Sequence, residues 1–238
     1  MARVKASFSV PAVLLVAYNR PELTQRVLNV LRQAKPDRLY VAVDGPQNRE
    51  RDVRLVRETI SAVKRAVDWD CVLKTRFLPA NVGLFFHMTS ALRWFFVSES
   101  RGIILEDDCI PEVDFFGYCG ELLERFDGDA RVWQISGDNS AKISNRRAGS
   151  YSFIRYPLVW GWATWRGVWE KFDSDLALWK RVRGTHSVRR KFKFWGFEYR
   201  YFQEVLDQIL SRRPDTLPHT WDYQWSWSAI YHGGLTVV

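Results

Sequence analysis

Three consecutive carboxylates, Glu106-Asp107-Asp108, directly follow the apolar run Ile103-Ile104-Leu105. Like charges held this close repel one another unless a cation lies between them. Carboxylate oxygens suit Mg²⁺ or Mn²⁺, and these ions in turn hold phosphates. The spacing is equally compatible with an acidic turn that begins the next helix. The choice between a metal site and a simple turn therefore depends on where the surrounding strands and helices place the triplet.

The first 110 residues alternate apolar strands with amphipathic helices. Helices are predicted from Pro21, after Pro46 and after Gly83, because apolar residues then recur at helical spacing. Strands are predicted at 10–17, 39–43, 71–77 and 103–105. Strands that are apolar throughout and alternate with helices form a parallel sheet covered on both faces. The sequence therefore predicts an α/β fold with a mostly parallel central sheet and helices on both faces.

Polar turns follow three of these predicted strands. Asn19-Arg20 follows the first strand, Asp44-Gly45 the second and Glu106-Asp107-Asp108 the fourth. Ligands of open parallel sheets bind outside the C-terminal ends of the strands, where such turns gather. Three polar turns at one edge favour a binding site over an accidental acidic turn.

The pattern changes after residue 110. A helix is predicted near 112–125 and a strand at 132–136, and an aromatic, mostly helical region follows. A strand begins at 235–238, and we expect the fold to continue beyond Val238. Because no linker, repeat or low-complexity segment separates the halves, we predict one domain over 1–238, with halves at approximately 8–110 and 111–238.

Composition excludes several classes of protein. The chain has 238 residues, 47% of them hydrophobic, and its apolar runs are far shorter than the ~20 residues of a membrane span. It lacks the pattern of a secretory signal peptide, so we expect a cytoplasmic protein. The three cysteines have no metal-like spacing and are predicted to be buried thiols.

The formal charge of +8 is unevenly distributed. Residues 186–200 interleave cations with aromatic side chains, which suits nucleic acid, an anionic membrane surface or a phosphate-bearing substrate. No nucleic-acid-binding module is visible in the sequence. A solvated helix face with one buried aromatic side is the plainest interpretation.

Taken together, these motifs resemble those of the GT-A nucleotide-sugar glycosyltransferases. Ala17-Tyr18-Asn19-Arg20-Pro21 is similar to the opening of family 2 enzymes, and Asn81-Val82-Gly83-Leu84 to their second signature. From Ile104 onward the chain is closer to the N-acetylglucosaminyltransferase I family. The matching motifs are Leu105-Glu106-Asp107-Asp108, Asp114-Phe115-Phe116, Ser136-Gly137-Asp138-Asn139, Gly161-Trp162 and Trp221-Asp222.

The resemblance implies a GT-A (Rossmann-like) fold with a nucleotide-sugar half at 8–110. An aromatic-rich, largely helical acceptor half would occupy 111–238. Asp108 would be the direct ligand of Mn²⁺ or Mg²⁺. The implied donor-binding residues are Ala17, Tyr18, Asn19, Arg20, Asp44, Asn81, Glu106 and Asp107.

On the acceptor side, the resemblance implies Asp222 as the general base, with Tyr223 where the family has a second Asp. Asp138 and Asn139 follow a predicted strand on the ligand edge. Trp160 and Trp162 are candidates for stacking on a sugar, because aromatic faces suit the C–H surface of a pyranose. These four residues are the predicted acceptor-binding set.

The implied activity is inverting, metal-dependent transfer of a hexosyl or N-acetylhexosaminyl group from a nucleotide-diphosphate sugar, with UDP favoured. The acceptor would be a hydroxyl of a glycan, a lipid-linked molecule or another compound. No nucleic-acid partner is expected, and 186–200 would allow peripheral contact with an anionic membrane.

Two alternatives remain. A sugar-phosphate nucleotidyltransferase shares the sheet and the carboxylate-bound metal, but it should carry a glycine-rich phosphate loop that the turn at 17–21 lacks. The other alternative is a non-catalytic basic protein that binds membranes or nucleic acid.

Overall fold

The computed structural model describes residues 10–138, 150–192, 196–211 and 220–238. In this part of the chain eight strands form a single sheet. They are β1 (Val13–Ala17), β2 (Arg38–Val43), β3 (Val72–Phe77), β4 (Arg101–Glu106), β5 (Val132–Ser136), β6 (Phe153–Ile154), β7 (Trp162–Trp165) and β8 (Leu235–Val237). The strand order is β3-β2-β1-β4-β7-β5-β8-β6.

Helices pack around this sheet. Those of the first half are α1 (Pro21–Ala34), α2 (Glu50–Ala66), α3 (Leu84–Ser98) and α4 (Asp114–Arg125). Those of the second half are α5 (Arg166–Trp169), α6 (Ala177–Val182), α7 (His186–Arg189), α8 (Phe197–Leu210) and α9 (Asp222–His232). None of the described helices is both long enough and apolar enough to cross a bilayer.

Both faces of the sheet are covered, as the uniformly apolar strands predict. Along β1, Val13 and Leu15 pack into one core cluster with α1, α2 and α4. Leu14 and Val16 point to the opposite face and pack with α3 and α9. This alternation arises because successive strand residues point to opposite faces, and β1 is buried on both.

The first four strands are parallel, so their C-terminal ends meet at one edge. The predicted strands in this half are confirmed, with small shifts in their ends. β1 begins at Val13 rather than Val10, and β4 runs from Arg101 to Glu106. Glu106 is therefore the last residue of the strand, and Asp107 and Asp108 begin the turn.

The second half adds two strands that the sequence analysis did not predict, β6 and β7. β7 lies antiparallel between β4 and β5, and Ala163 pairs with both Ile103 and Ile135. β8 pairs parallel with β5 and antiparallel with β6. The fold is thus α/β with a mostly parallel sheet, as predicted, and every antiparallel pairing involves β6 or β7.

A third aromatic cluster holds the helices of the second half together. Trp179, Phe192 and Trp227 pack there with neighbours from α6 to α9. Asp173 lies at its border and accepts hydrogen bonds from Trp227 Nε1 at 2.9 Å and from two backbone N–H groups of α6. This cluster fixes α9, whose first residue is Asp222, against the rest of the domain.

Candidate active site at the C-terminal edge of the sheet

The acidic triplet lies where β4 ends. Asp107 is buried and turned toward the first β-α turn, where its Oδ2 accepts a hydrogen bond from Tyr18 N at 3.0 Å. Its Oδ1 lies 3.2 Å from Arg20 Nη1. Asp108 faces outward with its side chain half exposed, and its Oδ2 lies 2.5 Å from the same Arg20 nitrogen. Asp107 therefore ties two loops together, while Asp108 remains accessible.

Glu106 is the electrostatically costly member of the triplet. Burial and the charges of Asp108, Asp107 and Asp222 raise its pKa to about 7, and Arg20 only partly opposes them. Burial is the largest cause, because it removes water that would stabilise the charged form, and the neighbouring carboxylates add to it. Because the charge of Asp222 also acts on Glu106, Asp222 lies near this edge in the fold although it is distant in sequence.

The turn after β1 is anchored by hydrogen bonds to a residue that the sequence analysis did not identify. Asp52, buried on α2, accepts hydrogen bonds from Tyr18 Oη at 2.6 Å and Asn19 Nδ2 at 2.5 Å. It also accepts one from the backbone N–H of Gln47 at 2.5 Å. Although burial opposes the change, these hydrogen bonds lower the pKa of Asp52. The signal available in the sequence was that Asp52 lies four residues before Val56, on the apolar side of the predicted helix.

Burial, together with the hydrogen bond to Asp52, raises the pKa of Tyr18 to about 12. Its phenol therefore stays protonated and keeps donating to the carboxylate. Ala17 lies beneath this turn and is buried in β1. Its carbonyl accepts from Asp44 N at 3.0 Å and lies 3.1 Å from His87 Nε2. Ala17 supports the turn and does not form its surface.

Asp44 and Asn81, both predicted to bind the donor, contact each other. Asp44 Oδ2 accepts from Asn81 Nδ2 at 2.9 Å, and Oδ1 accepts from the backbone N–H groups of Gly45 and Val82. Only glycine fits at 45, since an added Cβ would lie 2.3 Å from the backbone of Ala80. The second and third β-α loops are thus fastened together beside the first.

A cavity of about 610 Å³ opens beside Asp108. Asp138 and Trp160, two predicted acceptor-binding residues, line it, together with Glu112 and Phe115. Trp160 is 69% exposed at the rim and offers a free aromatic face. Asn139, the neighbouring predicted residue, lies outside the residues that the structure describes.

Trp162 requires a correction. The sequence analysis placed it among the acceptor-binding residues, but its side chain is 0% exposed. It lies in β7, where its ring stacks on Trp221 at 5.7 Å and packs against Trp225 at 5.6 Å. It therefore belongs to the core, and it contributes to the site only by packing beneath the residue before Asp222.

Asp222 opens α9 and is partly buried. Its Oδ1 is buried and has no hydrogen-bond partner within the described part of the chain. Burial raises the pKa of this carboxyl, and the backbone N–H groups of Asp222 and Tyr223 partly oppose the rise. Tyr223 Oη bonds Tyr201 Oη at 2.7 Å, so the residue that follows Asp222 is anchored to α8.

The carboxylates at this edge are the candidate ligands for a divalent cation. The described residues contain no group of three or more His, Cys, Asp or Glu that could enclose an ion. Asp108 and Glu112 both present exposed carboxylates at the cavity, and of these Asp108 belongs to the acidic triplet. Mg²⁺ is usually held by one or two carboxylates, substrate phosphates and water, so one such ligand fits an ion that arrives with a phosphate ligand.

Comparisons with known proteins found structures similar to this chain but no similar sequence. No family model matches it, and no curated protein matches its sequence. Residues 1–349 of S. aureus TarS align with a TM-score of 0.46 and 9% identity, covering 68% of this chain and 49% of that one. The chain thus spans about half the length of the TarS structure.

A second solved structure is the 4-diphosphocytidyl-2C-methyl-D-erythritol synthase from Anaerococcus prevotii DSM 20548. It aligns with a TM-score of 0.39 and 8% identity, covering 94% of this chain and 98% of that one. At these low TM-scores and identities the alignments do not indicate function, whereas the residues at this edge do.

Proposed function

We propose that the protein is an inverting, metal-dependent glycosyltransferase. It would move a hexosyl or N-acetylhexosaminyl group from a nucleotide-diphosphate sugar, with UDP favoured, to an acceptor hydroxyl. One observation carries the proposal: an accessible carboxylate, a tethered polar turn and a buried carboxylate from another element meet at one sheet edge beside a cavity. That combination supplies a place for a charged leaving group and a base for an acceptor.

The donor would bind over the first turn. Tyr18 and Asn19 are held by hydrogen bonds to Asp52, and Asp44 and Asn81 bond each other beside them, so the surface that would bind the nucleotide base is preorganised. Preorganised walls reduce the entropy lost on binding. Glu106 and Asp107 lie between this turn and the cavity, where they would contact the ribose or the sugar.

Asp108 would hold Mn²⁺ or Mg²⁺ together with the phosphates of the donor. When bound, the ion would neutralise the negative charge that develops on the departing diphosphate. Arg20, which bonds Asp107 and Asp108, would lie close to the same charge. Arg20 and a metal ion held by Asp108 would therefore both act on the charge of the departing diphosphate.

Asp222 would act as the general base. Its raised pKa suits a carboxylate that must take a proton from a hydroxyl, and its buried Oδ1 has no competing donor among the described residues. One carboxylate that activates the acceptor for direct displacement inverts the anomeric centre, as in inverting glycosidases. Trp160 and Asp138 would orient a glycan or lipid-linked acceptor in the cavity.

A thermal-shift screen of nucleoside diphosphates with and without Mn²⁺ tests donor binding. A ligand at one hundred times its dissociation constant stabilises the folded state by about 2.7 kcal/mol. We expect one or more diphosphates to stabilise the wild type only when Mn²⁺ is present. Asp108→Asn should lose this response, whereas Glu112→Gln, which removes another carboxylate from the cavity wall, should keep it.

Equal stabilisation with and without Mn²⁺, or an unchanged response in Asp108→Asn, would contradict the proposed metal role. Product analysis then separates the candidate reactions. A glycosyltransferase releases a nucleoside diphosphate and inverts the anomeric configuration of the sugar. A sugar-phosphate nucleotidyltransferase consumes a nucleoside triphosphate and releases pyrophosphate, and retention in the sugar product would refute inversion.

A further inference from the structure

An exposed aromatic patch lies on α8, outside the residues proposed to bind donor and acceptor. Phe197, the first residue of α8, is 83% exposed, and Tyr201 is 45% exposed. Residues four apart lie on one face of a helix, so these two rings share a face with Arg200. They line a shallow groove of about 480 Å³ together with Tyr156 and Phe202.

The groove carries no free negative charge from its own walls. Its carboxylate, Glu198, is buried, accepts a hydrogen bond from Tyr156 Oη and is paired with Arg155. The remaining walls are aromatic rings. An exposed phenylalanine in such a setting is stabilised when it enters an apolar phase, because the ring then leaves water.

Cations precede this patch in sequence, whereas the face of α8 that carries it has the exposed side chains of both Arg200 and Glu204. Between 176 and 197 the chain has seven Lys or Arg residues and no Asp or Glu. Within the described residues, Arg189, Arg190 and Lys191 are exposed and have no carboxylate within ion-pair distance. The Arg189 guanidinium lies 5.4 Å from the Tyr199 ring centroid, which places α7 beside the first turn of α8.

We propose that this basic-aromatic face docks on an anionic lipid surface, with Phe197 entering the interface and the cations of α7 facing the lipid phosphates. Exposed aromatic residues flanked by Lys and Arg are typical of interfacial membrane contacts. A lipid surface fits better than nucleic acid, since the groove offers aromatic walls but no line of cations along its length. The hydrogen bond between Tyr201 and Tyr223 would keep the candidate base close to the membrane.

Vesicle co-sedimentation of the full chain tests this docking directly. Vesicles of phosphatidylcholine alone are compared with vesicles that also contain phosphatidylglycerol, at low and high sodium chloride. We expect binding to the anionic vesicles only, weakened by salt. Because each basic residue near an anionic surface contributes about a fivefold factor, Arg189→Ala/Arg190→Ala/Lys191→Ala should weaken partitioning by on the order of 100-fold.

Matched variants separate docking from net charge and general hydrophobicity. Arg51→Ala/Arg54→Ala/Arg57→Ala removes three exposed arginines from α2 and should reduce binding far less. Phe197→Ala should weaken partitioning roughly tenfold. Phe86→Ala, which removes an exposed ring from α3, should leave it unchanged.

Circular dichroism of each variant confirms that it is folded. Absence of vesicle binding by the wild type, equal binding to neutral vesicles, or equal losses in the matched variants would overturn the proposal. Binding to a DNA fragment but to neither kind of vesicle would also overturn it. None of these results depends on glycosyl transfer, so docking and the proposed activity fail independently.

Discussion

Replacing Glu106 with glutamine should stabilise the folded protein by about 3 kcal/mol near pH 8. The pKa of Glu106 is raised from 4.5 to about 7, first by burial and then by the charges of Asp108 and Asp107. Each pH unit between those values corresponds to about 1.4 kcal/mol, which leads to this magnitude. Glutamine keeps the size of the side chain and removes the charge.

The sign follows from proton binding. Between about pH 4.5 and 7 the folded state keeps a proton on Glu106 that the unfolded state has already released. The free energy of unfolding of the wild type therefore falls as pH rises through this window and levels off above it. The glutamine variant lacks this fall, so its advantage should vanish near pH 4 and be complete near pH 8.

Urea denaturation followed by tryptophan fluorescence, across this pH range, measures both free energies of unfolding. Glu112→Gln serves as the control, because it removes an exposed carboxylate from the wall of the cavity beside Asp108 and should change stability little. A Glu106→Gln variant no more stable than the wild type near pH 8 would refute the electrostatic argument. An advantage that persists undiminished near pH 4 would refute it equally.

Four further substitutions test other parts of the site. Asp52→Ala should lower the free energy of unfolding by about 2–3 kcal/mol in urea denaturation, because three donors lose their acceptor, and it should raise the KM for the donor. Asp222→Asn should lower kcat by about 10²–10⁴-fold while calorimetry shows unchanged donor affinity; a mere loss of affinity would contradict its role as base. Trp162→Ala should cost about 3–5 kcal/mol of stability, whereas Trp160→Ala should cost far less and weaken acceptor binding instead. Equal costs for the two tryptophans would contradict their placement.

The strands of the first half could be predicted because their signals are local. Val13–Ala17 and Arg38–Val43 are short, mainly apolar runs bounded by polar turns, and the intervening helices show helical spacing. Parallel pairing then places the turns after β1, β2 and β4 at one edge. The hydrogen bonds from Tyr18 N to Asp107 and from Asp44 N to the Ala17 carbonyl confirm that these turns meet.

The role of the tryptophan segment could not be predicted in the same way. Trp160 and Trp162 are two residues apart and chemically identical, yet one is exposed and the other buried. What separates them is β7, which forms because β4 and β5 both offer it an antiparallel partner. Those partners are distant in sequence, so no local pattern marks the strand.

Asp52 was missed for a related reason. Its position on α2 is compatible with an exposed turn of helix, and its importance arises from contacts with Tyr18, Asn19 and Gln47 in two other loops. A buried carboxylate is stable only where several donors converge on it. The donors here come from segments that meet only in the folded chain.

The carboxylates of this edge fall into two sets by their partners. One set accepts two or three hydrogen bonds each, joins neighbouring loops and consists of Asp44, Asp52 and Asp107. The other set is less fully satisfied: Asp108 is half exposed and pairs with Arg20, Oδ1 of Asp222 has no partner within the described residues, and burial with neighbouring carboxylates raises the pKa of Glu106. Satisfied carboxylates stabilise a scaffold, whereas carboxylates left short of partners gain most when a cation or a hydroxyl arrives. The second set therefore has most to gain from ligand binding and is where chemistry is expected, and the first set keeps those three groups in place.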